Sequence, residues 1–233
     1  MFRFTALLAA SSLLLFSTLR AQDCSEMFEF FREGAMLEYT HYDKKGKPET
    51  IHTHHITRLE QSKDTLIAYT EVTIIQAKNN KETAKYTVPI KCCKETLFFN
   101  MRSITPPVEA GQSPDIQMEF SGTDLSYPRN LRVGQTLPDS EMEMVARMGS
   151  LQLMKNRYVI KNRRVEAEES VTTSGGTFKC YKIAYDFEFQ LLGTRTSRNE
   201  VWYAPAVGTV KSVSYDNKGR EESRMELTKF SKK

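Results

Sequence analysis

The sequence predicts an all-β protein: a single large antiparallel, strongly curved sheet or open barrel of about ten to twelve strands, with a short N-terminal helical segment. Three observations lead there. Successive stretches alternate apolar and polar residues with period two, as in Thr65–Ala77 and Glu141-Met-Glu-Met-Val145. Turn-forming clusters separate them, among them Lys44-Lys45-Gly46, Thr173-Ser174-Gly175-Gly176 and Asn217-Lys218-Gly219. Almost nothing between these clusters reads as helix.

Met1–Ala21 is set apart from the fold. Arg3 precedes the apolar run Ala6–Phe16, and Leu19-Arg20-Ala21 is a usable cleavage site before Gln22. The expected organisation is a signal peptide over 1–21 and a single β-rich domain over 22–233. No later stretch approaches the ~20 apolar residues that a membrane-spanning helix needs. The expected location is therefore periplasmic or secreted, after cleavage near Ala21. Ser25–Arg32, apolar at Met27, Phe28, Phe30 and Phe31, suits a turn or two of helix plugging one end of the sheet.

The first hairpin is Leu37–Asp43, a Lys44-Lys45-Gly46 loop and Lys47–Ile56. A regular ladder beyond that loop sets His41 against Glu49 and Tyr39 against Ile51. Leu37, Tyr39, His41, Ile51, His55 and Leu59 then face inward, and His52 and His54 point to the wet side with Glu38, Thr40 and Tyr42. Strands follow at Thr65–Ala77, Glu82–Lys91, Leu97–Met101 and Ile116–Phe120. Arg132–Leu137 reads as a loop before strands at Glu141–Met148, Leu151–Asn162 and Arg164–Thr172. Phe178–Phe189 is apolar on both faces and should be central. The last hairpin turns at Asn217-Lys218-Gly219, with a dry face of Val213, Tyr215, Met225 and Leu227 in a regular register. Its Tyr215-Asp-Asn-Lys-Gly-Arg220 echoes Tyr42-Asp-Lys-Lys-Gly-Lys47, as expected of two hairpins with the same turn chemistry.

Charge excludes one class of partner. Lys and Arg number 33 against 29 Asp and Glu, and removing Arg3 and Arg20 takes the net charge from +4 to +2. The charges are interspersed along the strands, without the aromatic-plus-basic clustering of nucleic-acid binders. Four cysteines, Cys24, Cys92, Cys93 and Cys180, allow three complete pairings. A Cys24–Cys92 disulfide is expected, because it ties down the segment that follows the cleavage site.

Three groups of residues could carry chemistry. All four histidines lie in the first hairpin, and His52 and His54, two apart on a strand, have usable metal-ligand spacing. The register above separates them from His41, so no tight metal site is expected. Met142, Met144 and Met148 share a strand face. They suit a packed core, an apolar cavity lined also by Phe178 and Tyr185, or a soft-metal site. Catalytic motifs are missing: there is no G-x-S-x-G, H-E-x-x-H, P-loop or dinucleotide fingerprint. No cofactor is called for, and Cys180, mid-strand in apolar company, makes a poor nucleophile.

Val133-Gly-Gln-Thr-Leu137, Arg164–Val171, Gly176-Thr-Phe-Lys-Cys-Tyr-Lys-Ile183 and Glu200-Val-Trp-Tyr-Ala-Pro-Ala-Val-Gly208 resemble the TapB-like exported proteins of Bacteroidota, relatives of the domain-of-unknown-function 3108 group. The resemblance spans most of Gln22–Phe230. Cys180 and Trp202-Tyr203 match its recurrent positions, whereas Cys93 departs from a pattern with one cysteine at Cys92. It implies an exported, β-rich envelope protein and carries over no catalytic residues. The expected function is a non-catalytic envelope binding or assembly module with an unknown envelope partner. The alternative is a carrier of an apolar, lipid-like ligand inside the curved sheet.

Overall fold

The computed structural model describes Cys24 and residues 28–101, 116–190 and 193–232; the expected leader Met1–Ala21 lies outside them. Alternation resolves into thirteen strands: β1 Met36–Asp43, β2 Pro48–Ser62, β3 Thr65–Gln76, β4 Glu82–Cys93, β5 Thr96–Phe99, β6 Ile116–Gly122, β7 Leu125–Pro128, β8 Ser140–Met148, β9 Leu151–Thr173, β10 Gly176–Gln190, β11 Thr194–Ala204, β12 Gly208–Tyr215 and β13 Glu221–Ser231. They form one antiparallel sheet in the order β6-β8-β9-β10-β11-β12-β13-β1-β2-β3-β4-β5-β7. It is a single curved sheet and it does not close.

The topology itself forces the curvature. β6 and β7 occupy opposite edges of the sheet, yet only Thr123 and Asp124 connect them. Three Cα steps reach at most ~11 Å, so the sheet must curl until β6 and β7 come close where they are joined, without pairing. Hydrogen bonds stitch that seam: Thr123 N–H donates to the Glu141 carbonyl at 2.9 Å and Ser140 Oγ to the Asp124 carbonyl at 3.1 Å. Arg163, 1% exposed, donates to the carbonyls of Ser126 and Pro138, both at 2.8 Å, with its guanidinium over the Tyr127 ring. Gly122 is required where the chain crosses over: its φ is +148° and a Cβ would lie 2.1 Å from the Glu141 carbonyl oxygen.

Bulges supply the bending. β9 is one long strand where two were expected, Leu151–Asn162 and Arg164–Thr172, because β10 pairs along almost all of it. The break is a bulge: Ala184 pairs with Arg164 but Asp186 with Lys161, and Asn162 has φ +57°. At the far end the β9–β10 turn folds over the sheet onto β13, where Thr173 Oγ1 donates to the Leu227 carbonyl at 2.6 Å. The β12–β13 ladder stops at Lys211 and Glu226, which leaves that carbonyl available.

The two echoing hairpins share more than a turn. Gly46 and Gly219 both have φ +74°, and each closes a three-residue loop. Asp43 Oδ1 accepts from the amides of Lys45 and Lys47; Asp216 Oδ1 accepts from those of Lys218 and Arg220. Each then carries a bulge just past the loop, at Glu49 in β2 and Glu222 in β13. This corrects both expected registers. Tyr39 pairs with His52 and Leu37 with His54, and Ser212, where Lys211 was expected, pairs with Met225.

The core fills the inside of the curl with Leu37, Tyr39, Val165, Ile183, Val201, Tyr203 and Leu227. Phe28 and Phe31, both fully buried, plug it from the N-terminal side, where the Phe28 amide donates to the Cys24 carbonyl at 3.0 Å.

Candidate functional site

The corrected register gathers the histidines. His41, His52 and His54 all lie on the inner face with Leu37 and Tyr39, and Ile51 and His55 turn outward. The expected separation of His41 from His52 and His54 does not hold, because the extra residue at Glu49 shifts every later β2 side chain to the other face. The His41 and His52 rings lie 3.9 Å apart, tilted by 32°, and His54 meets Tyr39 edge-on at 5.1 Å. Burial pulls all three imidazoles down, His41 and His54 to about 4 and His52, which also feels His41 and His54, to about 3. All three are neutral at pH 7. His52 Nε2 shares a 3.1 Å hydrogen bond with Thr50 Oγ1, and His41 Nε2 is buried without a partner. Among the described residues, no group of three His, Cys, Asp or Glu side chains is placed to hold a metal ion.

Cys24 is bonded to Cys92, with the Cα atoms 6.1 Å apart, which pins the phenylalanine plug to β4. Cys93 is a half-exposed free thiol. Cys180 is buried, and burial, helped by the nearby Glu169 carboxylate, pushes its thiol up to about 12. Met142 and Met144 are 3% and 1% exposed within the core. Met148 leaves that group: at the β8–β9 hairpin tip, beyond the packed part of the sheet, it is 46% exposed. Phe178 and Tyr185 are half-buried against the core. Beside Met142 lies a cavity of about 160 Å³, bounded by Asn100, Met101, Phe120 and Gly122.

Sequence reasoning missed a site on the outer face. Thr196, Arg198 and Glu200 of β11, Tyr215 of β12 and the Asp216–Gly219 turn line an open cleft of about 530 Å³. Its floor is Glu200, 9% exposed, which takes an ion pair from Lys182 at 2.8 Å and a hydrogen bond from the Tyr215 hydroxyl at 3.0 Å. Burial alone would raise this carboxyl, but Lys182, Tyr215 and Arg198 more than offset it and hold it below its usual range. Arg198 bridges Glu166 at 2.8 Å and Glu200 at 3.6 Å. Beside them Trp202 lies between the ammonium groups of Lys182 and Lys211, and its indole N–H donates to Glu169. One signal was readable: Arg198, Glu200 and Trp202 alternate along β11, so they share a face.

Two solved structures share this architecture. A candidate exported protein with a YmcC-like fold from Bacteroides fragilis superposes with a TM-score of 0.70 at 19% identity, over 86% of this chain and 97% of its own. A candidate lipoprotein from Parabacteroides distasonis gives 0.70 at 21% identity, over 90% and 100%. At such identities the likeness establishes the fold. No curated protein matches the sequence. The DUF3108-like family profile matches residues 32–227, which take in all thirteen strands but the end of β13, and the chain belongs to the DUF3108-like family.

Proposed function

We propose that this chain is an exported, non-catalytic envelope module that binds a partner protein, and that the partner seats in the cleft over Glu200. The cleft carries the proposal. Open to solvent, it presents the charged and polar side chains of Thr196, Arg198, Glu200, Tyr215, Asp216 and Asn217 to a partner's surface. Export is supported by the leader-like Met1–Ala21 and by the Cys24–Cys92 disulfide, a bond that persists in oxidising compartments. The descriptions of the two structural neighbours agree with it. Membership of the narrower TapB-like group belongs to the same proposal.

The absence of catalysis in this reading rests on reactivity. A thiol with its pKa near 12 supplies little thiolate, and imidazoles near 3 and 4 are weak bases at neutral pH, so Thr50 beside His52 is not an activated nucleophile. The carrier reading has less support: Met142 and Met144 pack into the core, and the cavity beside them, at about 160 Å³, is smaller than the ~300–1,000 Å³ of small-molecule pockets. The test is a photo-crosslinking amino acid at Thr196, compared with one at the exposed Gln152 on the β8–β9 tip, both in the native envelope. Crosslinks to one protein from Thr196 alone are expected. Equal labelling from both positions overturns the assignment, as does co-purification of a stoichiometric acyl ligand.

A further inference from the structure

Met225 stands directly opposite His41 across the β1–β13 ladder, on the inner face and so on the other side of the sheet from the cleft. Directly opposed residues have Cβ atoms ~4.5–5.5 Å apart. His41 therefore has Met225 as its direct neighbour on β13 and the His52 ring, 3.9 Å away, on its β2 side. Met225, His41 and His52 are all half-buried, neither sealed in the core nor free in solvent. We propose that His41, His52 and Met225 form a binding site for a soft monovalent cation, copper(I) in particular.

Donor chemistry selects the ion. Thioether sulfur is a soft ligand that favours copper(I), and imidazole serves copper equally well. Zinc also takes imidazole, but its sites hold three or four ligands of the Cys, His or carboxylate kind, and calcium and magnesium take several oxygen donors; the described residues hold no His, Cys, Asp or Glu triad suited to them. The surroundings select the charge. On this face the register neighbours of the three ligands are Tyr39, Thr50, Ile74 and Ser212, all neutral. The Asp43 carboxylate, two residues along β1 on the same face, accepts from the amides of its own loop, so a divalent ion would meet a large desolvation cost with little charge to offset it. Born energies scale with the square of the charge, so a monovalent ion of like size meets about a quarter of it.

The ligand atoms are available. His41 Nε2 is buried with no hydrogen-bond partner, a cost that coordination would relieve. The two rings lie face against face, tilted by 32°, and their in-plane lone pairs do not converge. Binding therefore turns the His52 ring out of the stack and breaks its bond to Thr50.

The test uses the mature protein with Cys93→Ser, because the half-exposed Cys93 thiol would itself capture copper(I). Copper(I) is supplied anaerobically from its bicinchoninate complex, whose colour falls as the protein takes the ion. One equivalent is expected to transfer with sub-micromolar affinity. Met225→Leu, which conserves volume, and His52→Gln should each weaken binding at least tenfold. Met148→Leu, at the exposed hairpin tip, should change nothing. Far-UV circular dichroism checks the fold, and if His52→Gln does not fold, Met225→Leu alone decides. No transfer overturns the proposal, as does transfer that Met225→Leu leaves intact. Zinc(II) binding of equal strength that survives Met225→Leu overturns it too.

Discussion

Arg163 shows how one residue can hold two distant parts of the chain. Its guanidinium, 1% exposed, satisfies the carbonyls of Ser126 on β7 and Pro138 before β8. Methionine would fill much of the space but leave both carbonyls without a donor. Hydrogen bonds to charged groups are worth ~1.5–3 kcal/mol each, so Arg163→Met is expected to lower stability by about 3 kcal/mol. A urea-denaturation midpoint unchanged from the parent would show that the seam does not depend on this residue. The free thiols invite a second measurement. Cys93 is half-exposed, whereas Cys180 is buried with its thiol pushed up to about 12. At pH 8 a disulfide-exchange reagent should titrate one thiol promptly and the second only after denaturation. Two prompt equivalents would mean that β10 opens readily.

At the scale of the element, the twin hairpins repeat one device: an aspartate clamping its loop, a glycine with positive φ, and a bulge one step further on. They lie side by side, since Asp43 of β1 pairs with Ser223 of β13 and Arg224 lies over the Tyr42 ring. Each aspartate accepts two amide hydrogen bonds that water can largely replace at these exposed turns. Asp43→Ala and Asp216→Ala are therefore each expected to cost about 1 kcal/mol. Because the bulge sets which face β2 presents, a looser first turn should also disturb the histidine stack. The His41 and His52 ring resonances should shift in Asp43→Ala more than in Asp216→Ala; equal shifts would separate the turn from the register.

For the whole molecule, the disulfide does what the sheet cannot. The open curl has an N-terminal plug of Phe28, Phe30 and Phe31, and Cys24–Cys92 ties that plug to β4 across 68 residues of sequence. The loop-entropy model puts such a link at about 4 kcal/mol. The Cys24→Ser, Cys92→Ser variant should melt well below the parent, and reducing agent should lower the melting temperature of the parent but not of the double variant. A melting temperature insensitive to reductant in the parent would show that the plug holds by packing alone. Among the described residues no helix is long and apolar enough to cross a membrane.

The sequence by itself determined the antiparallel class, the positions of most strands, and the turns at Gly46 and Gly219, because alternation and turn chemistry are local. The histidine cluster was legible as a cluster, and the β11 charges as alternating positions. Which face they occupy was not. A bulge adds one residue, and with a period of two a single residue reverses every side chain beyond it. The bulges at Glu49 and Glu222 follow directly on the two turns, and they show only in how the paired strands line up, not in the alternation of either strand alone. The four residues of β7 were unreadable for a similar reason: Leu125 and Tyr127 carry too little pattern alone, and only pairing with β5 makes them a strand. Tertiary structure alone therefore decided that His41 meets His52 and Met225, since the pairing of β1 with β2 and β13 carries the bulged register that the alternation had assigned the other way.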